Sequence, residues 1–416
     1  MKITIKHIAQ IEGHGGFVAN LEKGKVKSAQ IKTHEGARLI EALLVGRYYD
    51  EAPLITARIC GVCPVVHNLC SIKALENALG VKVSPQTIVL REVMELGQTI
   101  QSHALHAYFM ALGDYFDIKH GFDLMKRFPV ATLKALKIRD FGNRLIQKIG
   151  GRSIHPLRTK VGGFTKLISQ EQINTILQEI PEVISNVGDL VEVYKKIKFP
   201  KFHRPTEYYA LINNNHYTFY QGDTIKSNHP ERIPVSRFQH DITEIQRPYE
   251  MSKRAYWKGQ SFFVGALARL HLNEKKLNPK AKSVLKYLPP RPIDNSFYNI
   301  YAQLIEILHS LEEAQKLLKP LAKKELRYPA VRYKLKAGKG VGAVEAPRGT
   351  LYHYYELDSN GYIVNCNIIT PTVQMLSNLE KDLEVLLKGK KEGEATQNEI
   401  KKLVRSYDPC MTCATH

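Results

Sequence analysis

The sequence predicts an α+β protein that is predominantly helical, with a long-helix bundle as its core and β-rich N-terminal and peripheral segments. Three observations predict it. Residues 1–35 alternate apolar and polar side chains, the period of a half-buried strand. Four long segments, about 85–116, 122–149, 169–198 and 296–325, carry helical periodicity and few breakers. A second β-rich stretch, about 328–370, separates the last of these from two shorter helices.

In chain order, Ile3, Ile5, Phe17, Val18, Leu21, Val26 and Ile31 are spaced for a small sheet, with Gly13, Gly15, Gly16 and Gly24 as turn points. From Ala37 the period becomes helical. Leu39, Leu43 and Leu44 mark a short helix that ends near Gly46, and an apolar helix runs from Val66 to about Leu79. Pro85 stands where a first helical residue would and opens the long segment to Phe116. A basic helix covers 122–149, and Gly150–Gly151 and Gly162–Gly163 bracket a loop. After the helix at 169–198, residues 199–295 are mixed, rich in Pro, Asn and Tyr, and read as irregular and peripheral. Helix returns over 296–325, and the 328–370 strands precede helices at 373–388 and 396–406. The expected organisation is one large domain over 1–416. It consists of a β-rich segment (1–35), a first half of the helical core (36–198), the irregular region (199–295) and a second half carrying the C-terminal motif (296–416).

With 416 residues, 44% of them apolar, the chain can bury a large core. No stretch approaches the ~18–20 apolar residues of a membrane span, and the start lacks the apolar run of a secretory signal. The expectation is a soluble, cytoplasmic chain, associated with a membrane only through partners. The formal net charge is +20, and Lys119 to Leu167 supplies half the excess, with twelve Lys/Arg against Asp123 and Asp140. A second basic run lies between Lys319 and Lys339. A solvated lysine-rich surface, an acidic partner protein and an anionic membrane are the readings that stand. Nucleic acid is not expected, because no zinc-finger spacing, RNP-like aromatic motif or basic-region heptad accompanies the charge.

Six cysteines are too few for a disulfide scaffold. Four form two C-x-x-C pairs, Cys60/Cys63 in RICGVCPVVH and Cys410/Cys413 in DPCMTCATH; Cys70 and Cys366 stand apart. Paired thiols of this kind point to metal or redox chemistry. The pairs are about 350 residues apart. Closing that loop costs only ~2–3 kcal/mol more than a short one, against ~10 kcal/mol or more returned by a structural metal. One four-thiolate site is therefore open to the chain. Zinc in a closed tetrahedron, a cubane Fe–S cluster and a bimetallic nickel–iron centre all take four thiolates. Pair spacing alone favours zinc. The context weighs against it: one pair sits almost at the chain's end between an acid and a histidine, which a closed structural site does not need.

R-x-C-G-x-C-x-x-x-H followed far downstream by D-P-C-x-x-C-x-x-H resembles the paired motifs of [NiFe] hydrogenase large subunits. Further matches are IEGH (Ile11–His14), RLIEALLVGR (Arg38–Arg47), HPLRTKVGGF (His155–Phe164), VGALAR (Val264–Arg269) and EAPRG (Glu345–Gly349). They cover nearly the whole chain except the middle of 199–295. IQSHALHAYFMALGDYF (Ile100–Phe116) resembles the cytoplasmic, cofactor-reducing branch. The resemblance implies the large-subunit fold and reversible cleavage of H2 at a nickel–iron centre whose iron carries carbon monoxide and cyanide. It makes Cys60 and Cys410 terminal on nickel, and Cys63 and Cys413 bridging. Soft thiolates suit nickel, and a terminal thiolate can serve as base for the proton.

Four thiolates and two cyanides against two divalent metals leave negative charge that is costly to bury unpaired. The resemblance places Arg348 over the nickel and Asp408 beside that arginine; without it, Arg348 reads as a surface turn after Pro347. Glu12 resembles the family's proton-gate glutamate next to Cys410, a role suited to a carboxyl whose pKa burial raises; otherwise it is a turn acid. His67, four residues after Cys63, becomes a hydrogen-bond donor to the bridging sulfur, against the alternatives of a zinc ligand or a helix cap. Glu41, otherwise an exposed helix acid, matches a ligand of magnesium or a similar divalent ion. His416 and the Ile368 carbonyl would complete its protein ligands. Thr372, after Pro371, matches a hydroxyl that hydrogen-bonds a cyanide. One departure is Ser102, where some members have an acid; the support that acid gives is in doubt here.

The chain ends at His416. Family precursors carry an extension there, which a maturation protease removes after nickel insertion with a chaperone's help. A matured chain and a gene lacking the extension are both compatible with this end. No G-x-G-x-x-G or P-loop occurs, and Cys70 and Cys366 are too few for a second cluster. Electrons therefore need an Fe–S small subunit, and any flavin or nicotinamide site lies on further subunits. The competing readings are a non-catalytic zinc or Fe–S interaction protein, a quinone-reductase-type relative, whose comparable subunit lacks the cysteine pairs, and a basic nucleic-acid module.

Overall fold

Four long helices close a ring at the centre of the molecule: Pro85–His103, Pro129–Gly150, Gln170–Tyr194 and Asn299–Leu321. Each packs on two of the others. A computed structural model describes residues 2–22, 25–118, 121–248, 250–327 and 331–416. Gly24, Lys119 and the first three residues of the 328–370 stretch lie outside the described residues. Local chemistry sets the helix ends. Ser84 accepts from the Thr87 N–H ahead of Pro85. Ser169 and Gln172 form a reciprocal capping box.

Two expected helices are divided. The basic helix is two, Gly121–Arg127 and Pro129–Gly150, because a proline ring at 129 cannot continue the helix before it. The 85–116 segment is α-helical only to His103. It then winds more widely, as a π-helix over Ala104–Ala111, and ends in a 3-10 turn at Leu112–Tyr115. Such widening accompanies a local demand on side-chain direction. Here His106 bonds Gln303 Oε1 and the Arg405 carbonyl, each at 2.7 Å, while His103 reaches Glu306.

The N-terminal sheet is antiparallel in the order Lys2–Ile5, Gly15–Glu22, Lys25–Thr33. A second antiparallel sheet joins Gly338–Ala346, Gly349–Leu357 and Ile363–Ile369. The Pro64–Leu79 helix lies on this sheet. A Cβ on Gly338, Gly340 or Gly342 would strike the helix backbone at Ala78, Ala74 or Cys70. The glycine run of GKGVG is thus a helix-packing surface, and it fixes the first cysteine pair relative to the EAPRG turn.

The 199–295 region is neither irregular nor peripheral throughout. It forms five short strands between Tyr209 and Trp257 and a helix at Ala266–Asn273, and it buries Arg254 and Arg269 completely. Its strands are three to five residues long, too short to print a period on the sequence. The basic run is partly neutralised within the chain. Lys134, Lys137 and Arg144 pair with Asp189, Glu182 and Glu179 of the neighbouring helix. Among the described residues no helix is long and apolar enough to cross a membrane.

Candidate metal centre

The first cysteine pair straddles the start of a helix. Cys60 is extended, Cys63 occupies the cap position, and Pro64 is the first helical residue. The backbone N–H groups of Val62 and Cys63 point at Cys60 Sγ, at 3.3 and 3.4 Å. The second pair is held by the start of the Pro371–Leu386 helix. Thr372 Oγ1 accepts from the Cys410 N–H at 3.1 Å, and Thr370 Oγ1 donates to the Cys413 carbonyl at 2.8 Å. Residues 12 and 410 form a parallel bridge, with the Met411 N–H on the Glu12 carbonyl at 2.9 Å. Arg38 ties the two pairs together, donating to the Ile59 carbonyl at 2.7 Å and to the Thr412 carbonyl. Its motif was noticed in the sequence, but nothing there told which side chain would span both pairs.

All four sulfurs lie within 4.8 Å of one another, and all four residues are buried. Cys60 and Cys410 are 3.5 Å apart, Cys63 and Cys413 3.6 Å. Hydrogen bonding from Cys410 draws the Cys60 thiol well below its ordinary range, whereas burial pushes Cys410 up. Four thiolates at this spacing repel one another strongly in a dry interior, so the pocket calls for cationic charge.

A small cavity opens on one side of the quartet. Cys63, Cys413, His67, Ala346, Pro347, Arg348, Leu351, Pro371 and Thr372 line it. It touches the second cysteine of each pair and neither of the first. A single tetrahedral ion has no use for such one-sided space. Arg348 faces it. Its Nε donates to the Asp408 carbonyl and carboxylate at 2.8 and 2.9 Å, and Nη2 to the same carboxylate at 2.9 Å. Nη1 is buried and has no hydrogen-bond partner among the described residues. Asp408 is held in turn by Gln303 Nε2 at 3.0 Å. The wall therefore offers one unspent donor, a hydroxyl and apolar surface, a set that fits small anionic or neutral ligands on a second metal.

His67 reaches a different sulfur from the one its spacing indicates. Its Nε2 lies 3.7 Å from Cys413 Sγ, because the second pair folds over the helix start. Burial holds this imidazole down at about 3, so it is neutral. Glu12 Oε2 accepts from the Cys410 thiol at 2.8 Å and from the Thr412 N–H at 3.2 Å, and the Thr412 hydroxyl donates to Oε1 at 2.7 Å. Burial, then the charge on Cys60, raises this carboxyl above its ordinary value.

Glu41, Ile368 and His416 also converge. Glu41 Oε1 accepts from the Ile368 N–H at 2.8 Å, and His416 Nε2 lies 2.7 Å from the Ile368 carbonyl oxygen. Two residues that the sequence reading missed complete the group. Lys253 bridges Glu41 at 2.9 Å and Glu244 at 3.5 Å, and Glu244 Oε1 is buried without a hydrogen-bond partner among the described residues. Burial works against it, but the charges of His416 and Lys253 hold Glu41 below its ordinary value. Two carboxylates, a carbonyl and an imidazole suit a hard divalent ion. Ser102 is buried and its hydroxyl has no partner among the described residues, while His103 beside it pairs with Glu306 at 2.7 Å.

The profile of the family described as nickel-dependent hydrogenase matches residues 38–127 and 198–416. Sulfhydrogenase 2 subunit alpha of Pyrococcus furiosus is 33% identical over all of this chain and 99% of its own length. Sulfhydrogenase 1 subunit alpha of the same organism is 31% identical over all of this chain and 98% of its own. Among solved structures, an NAD+-reducing [NiFe]-hydrogenase in its H2-reduced state superposes with a TM-score of 0.90 at 28% identity, covering all of this chain and 99% of that one. The buried four-sulfur pocket therefore sits in a chain that belongs to the nickel-dependent hydrogenases, as the large subunit of a [NiFe] enzyme.

Proposed function

We infer that Cys60 and Cys410 bind nickel as terminal ligands, and that Cys63 and Cys413 bridge it to an iron carrying carbon monoxide and cyanide. The observation that carries this assignment is the one-sided cavity, which of the four cysteines touches only Cys63 and Cys413. Such a centre supplies reversible heterolytic cleavage of H2. The chain's own residues do the rest. Arg348 offers Nη1 to the cavity and balances the thiolates' charge. Thr372 offers a hydroxyl, and His67 donates toward Cys413. Glu12, hydrogen-bonded to Cys410, takes the proton from that sulfur and hands it outward through the Thr412 hydroxyl. Burial raises its pKa above the ordinary carboxyl value, which favours its holding that proton.

Magnesium or a similar ion fits Glu41, the Ile368 carbonyl and His416, with Glu244 and Lys253 around them. Cys70 bonds the Gly342 and Leu351 carbonyls and Cys366 the Glu41 carbonyl; the quartet is the only multi-cysteine group among the described residues. Electrons thus leave through a partner. The relatives are alpha subunits by name, which supports a hetero-oligomer; the partners in this reading are an Fe–S small subunit and further flavin or nicotinamide-binding subunits, and the assembly is cytoplasmic.

The test is infrared spectroscopy of the purified complex in the window of metal-bound carbonyl and cyanide, with nickel and iron measured on the same sample. Both bands together with both metals are expected. Zinc in place of nickel, with a silent window, would overturn the assignment.

A further inference from the structure

Behind Cys413 a line of hydrogen bonds runs away from the metal pocket, through His67 into residues to which the reaction gives no task. His67 Nε2 is 3.7 Å from Cys413 Sγ, and its Nδ1 is 3.4 Å from His353 Nε2. His353 Nδ1 is 3.0 Å from the Tyr355 hydroxyl, which is 3.0 Å from Ser71 Oγ. The residues in the line are buried. The Pro64–Leu79 helix supplies His67 and Ser71, four apart and so on one face. The Gly349–Leu357 strand supplies His353 and Tyr355, two apart and so on one side. Packing that helix on that sheet lines the four groups up, with the two strand residues between the two helix residues.

The direction of every bond in the line follows from its first member. A metal-bound thiolate only accepts. A neutral imidazole has one donor and one acceptor nitrogen. For His67 to donate from Nε2, its Nδ1 must accept, and His353 Nε2–H is the donor that faces it. His353 Nδ1 must then accept from the Tyr355 hydroxyl, whose oxygen accepts from Ser71. The opposite direction would turn the lone pair of His67 Nε2 onto the thiolate, which is repulsive.

We propose that His353 and Tyr355 are positioning residues that lock His67 in the tautomer donating to Cys413, and so set the electron density of that bridging sulfur. The proposal rests on the reading of Cys413 as a thiolate ligand. Its test uses the purified complex carrying Tyr355→Phe, His353→Leu or His353→Gln, with nickel, iron and thermal midpoint measured first. Wild-type protein lacking nickel or the metal-carbonyl band would sink the ligand reading, independently of this proposal. With metals retained, Tyr355→Phe and His353→Leu are expected to move the carbonyl band to lower wavenumber, since an unbonded thiolate donates more charge. They should also slow hydrogen–deuterium exchange on the order of 10-fold, as losses of partners behind metal-site residues do. His353→Gln keeps an N–H for His67 and should return both toward wild type. Bands unmoved in metal-loaded Tyr355→Phe, or moved as far by His353→Gln as by His353→Leu, would overturn the proposal. If His353→Leu fails to load, Tyr355→Phe decides, because it removes one hydroxyl and leaves the ring in place.

Discussion

Two buried arginines in neighbouring parts of the chain are used in opposite ways. Arg269 spends all five of its donors. Nε and Nη2 bond Glu306 at 2.7 and 2.6 Å, Nη1 bonds Glu345 at 2.8 Å, and the Ala346 and Pro347 carbonyls take the remainder at 2.8 and 2.9 Å. Arg348, next along the chain from those carbonyls, keeps Nη1 unspent at the cavity. A saturated buried cation is structure. A buried cation with a donor left over at a cavity can offer that hydrogen bond to a ligand there, since an unmade hydrogen bond in the interior costs ~1–3 kcal/mol. The two are linked: Arg269 grips the backbone that aims Arg348.

The comparison breaks most visibly at Arg269. Arg269→Leu leaves Glu306 and Glu345 buried without their counter-charge, a loss of ~3–5 kcal/mol out of a total stability of ~5–15 kcal/mol. Failure to accumulate folded, metal-loaded chain is expected; a wild-type thermal midpoint would show that the cluster is not structural. Arg348→Lys sharpens the other side. Lysine keeps the charge but not the planar fork, so the fold and nickel content should hold while H2 oxidation falls ~10²-fold, as when a donor aimed at a reacting centre is lost. A matching collapse of stability would erase the distinction between the two arginines.

Glu92 offers the smallest and most graded test, a buried carboxyl with no cation hydrogen-bonded to it. It accepts from the Gln221 amide at 2.6 Å, and His216, whose pKa burial lowers, lies 3.8 Å away. Burial lifts its pKa from 4.5 to about 7. Between those values the folded chain holds a proton that the unfolded chain has released, so stability falls as pH rises through the window and is level above it. Glu92→Gln should remove that slope and raise the unfolding free energy at pH 8 relative to pH 5, by at most ~3 kcal/mol, read from thermal melts at the two pH values. An unchanged slope would place the effect elsewhere.

Much of the site was legible in the residues themselves. Cys60, Cys63, Cys410 and Cys413 stand out because thiolate ligation needs that side chain at that spacing. Glu12, Glu41 and Arg348 by themselves read as a turn acid, an exposed helix acid and a surface turn; only the resemblance of their motifs to the family's gave them, and His416, a place in the site. The helical core was legible because long amphipathic helices repeat their period many times. The π-wound turn at 104–111 was not, since it depends on what His103 and His106 must reach across the bundle. Lys253 and Glu244 were not, since both sit on five-residue strands in the region of weakest pattern. The partial neutralisation of the basic run was not legible, because its counter-charges lie on another helix, as for Lys137 and Glu182, 45 positions apart.

By itself the sequence determined which atoms can bind metal and which segments must be helical, because both are properties of side-chain chemistry and local period. Tertiary structure alone decided that the cavity opens beside Cys63 and Cys413 and not beside Cys60 and Cys410. It also decided that Arg348 and not Arg269 keeps a free donor, and that His67 meets Cys413 through a line reaching Ser71. Those outcomes depend on contacts between residues tens to hundreds of positions apart, and only the packed core holds them at hydrogen-bonding distance.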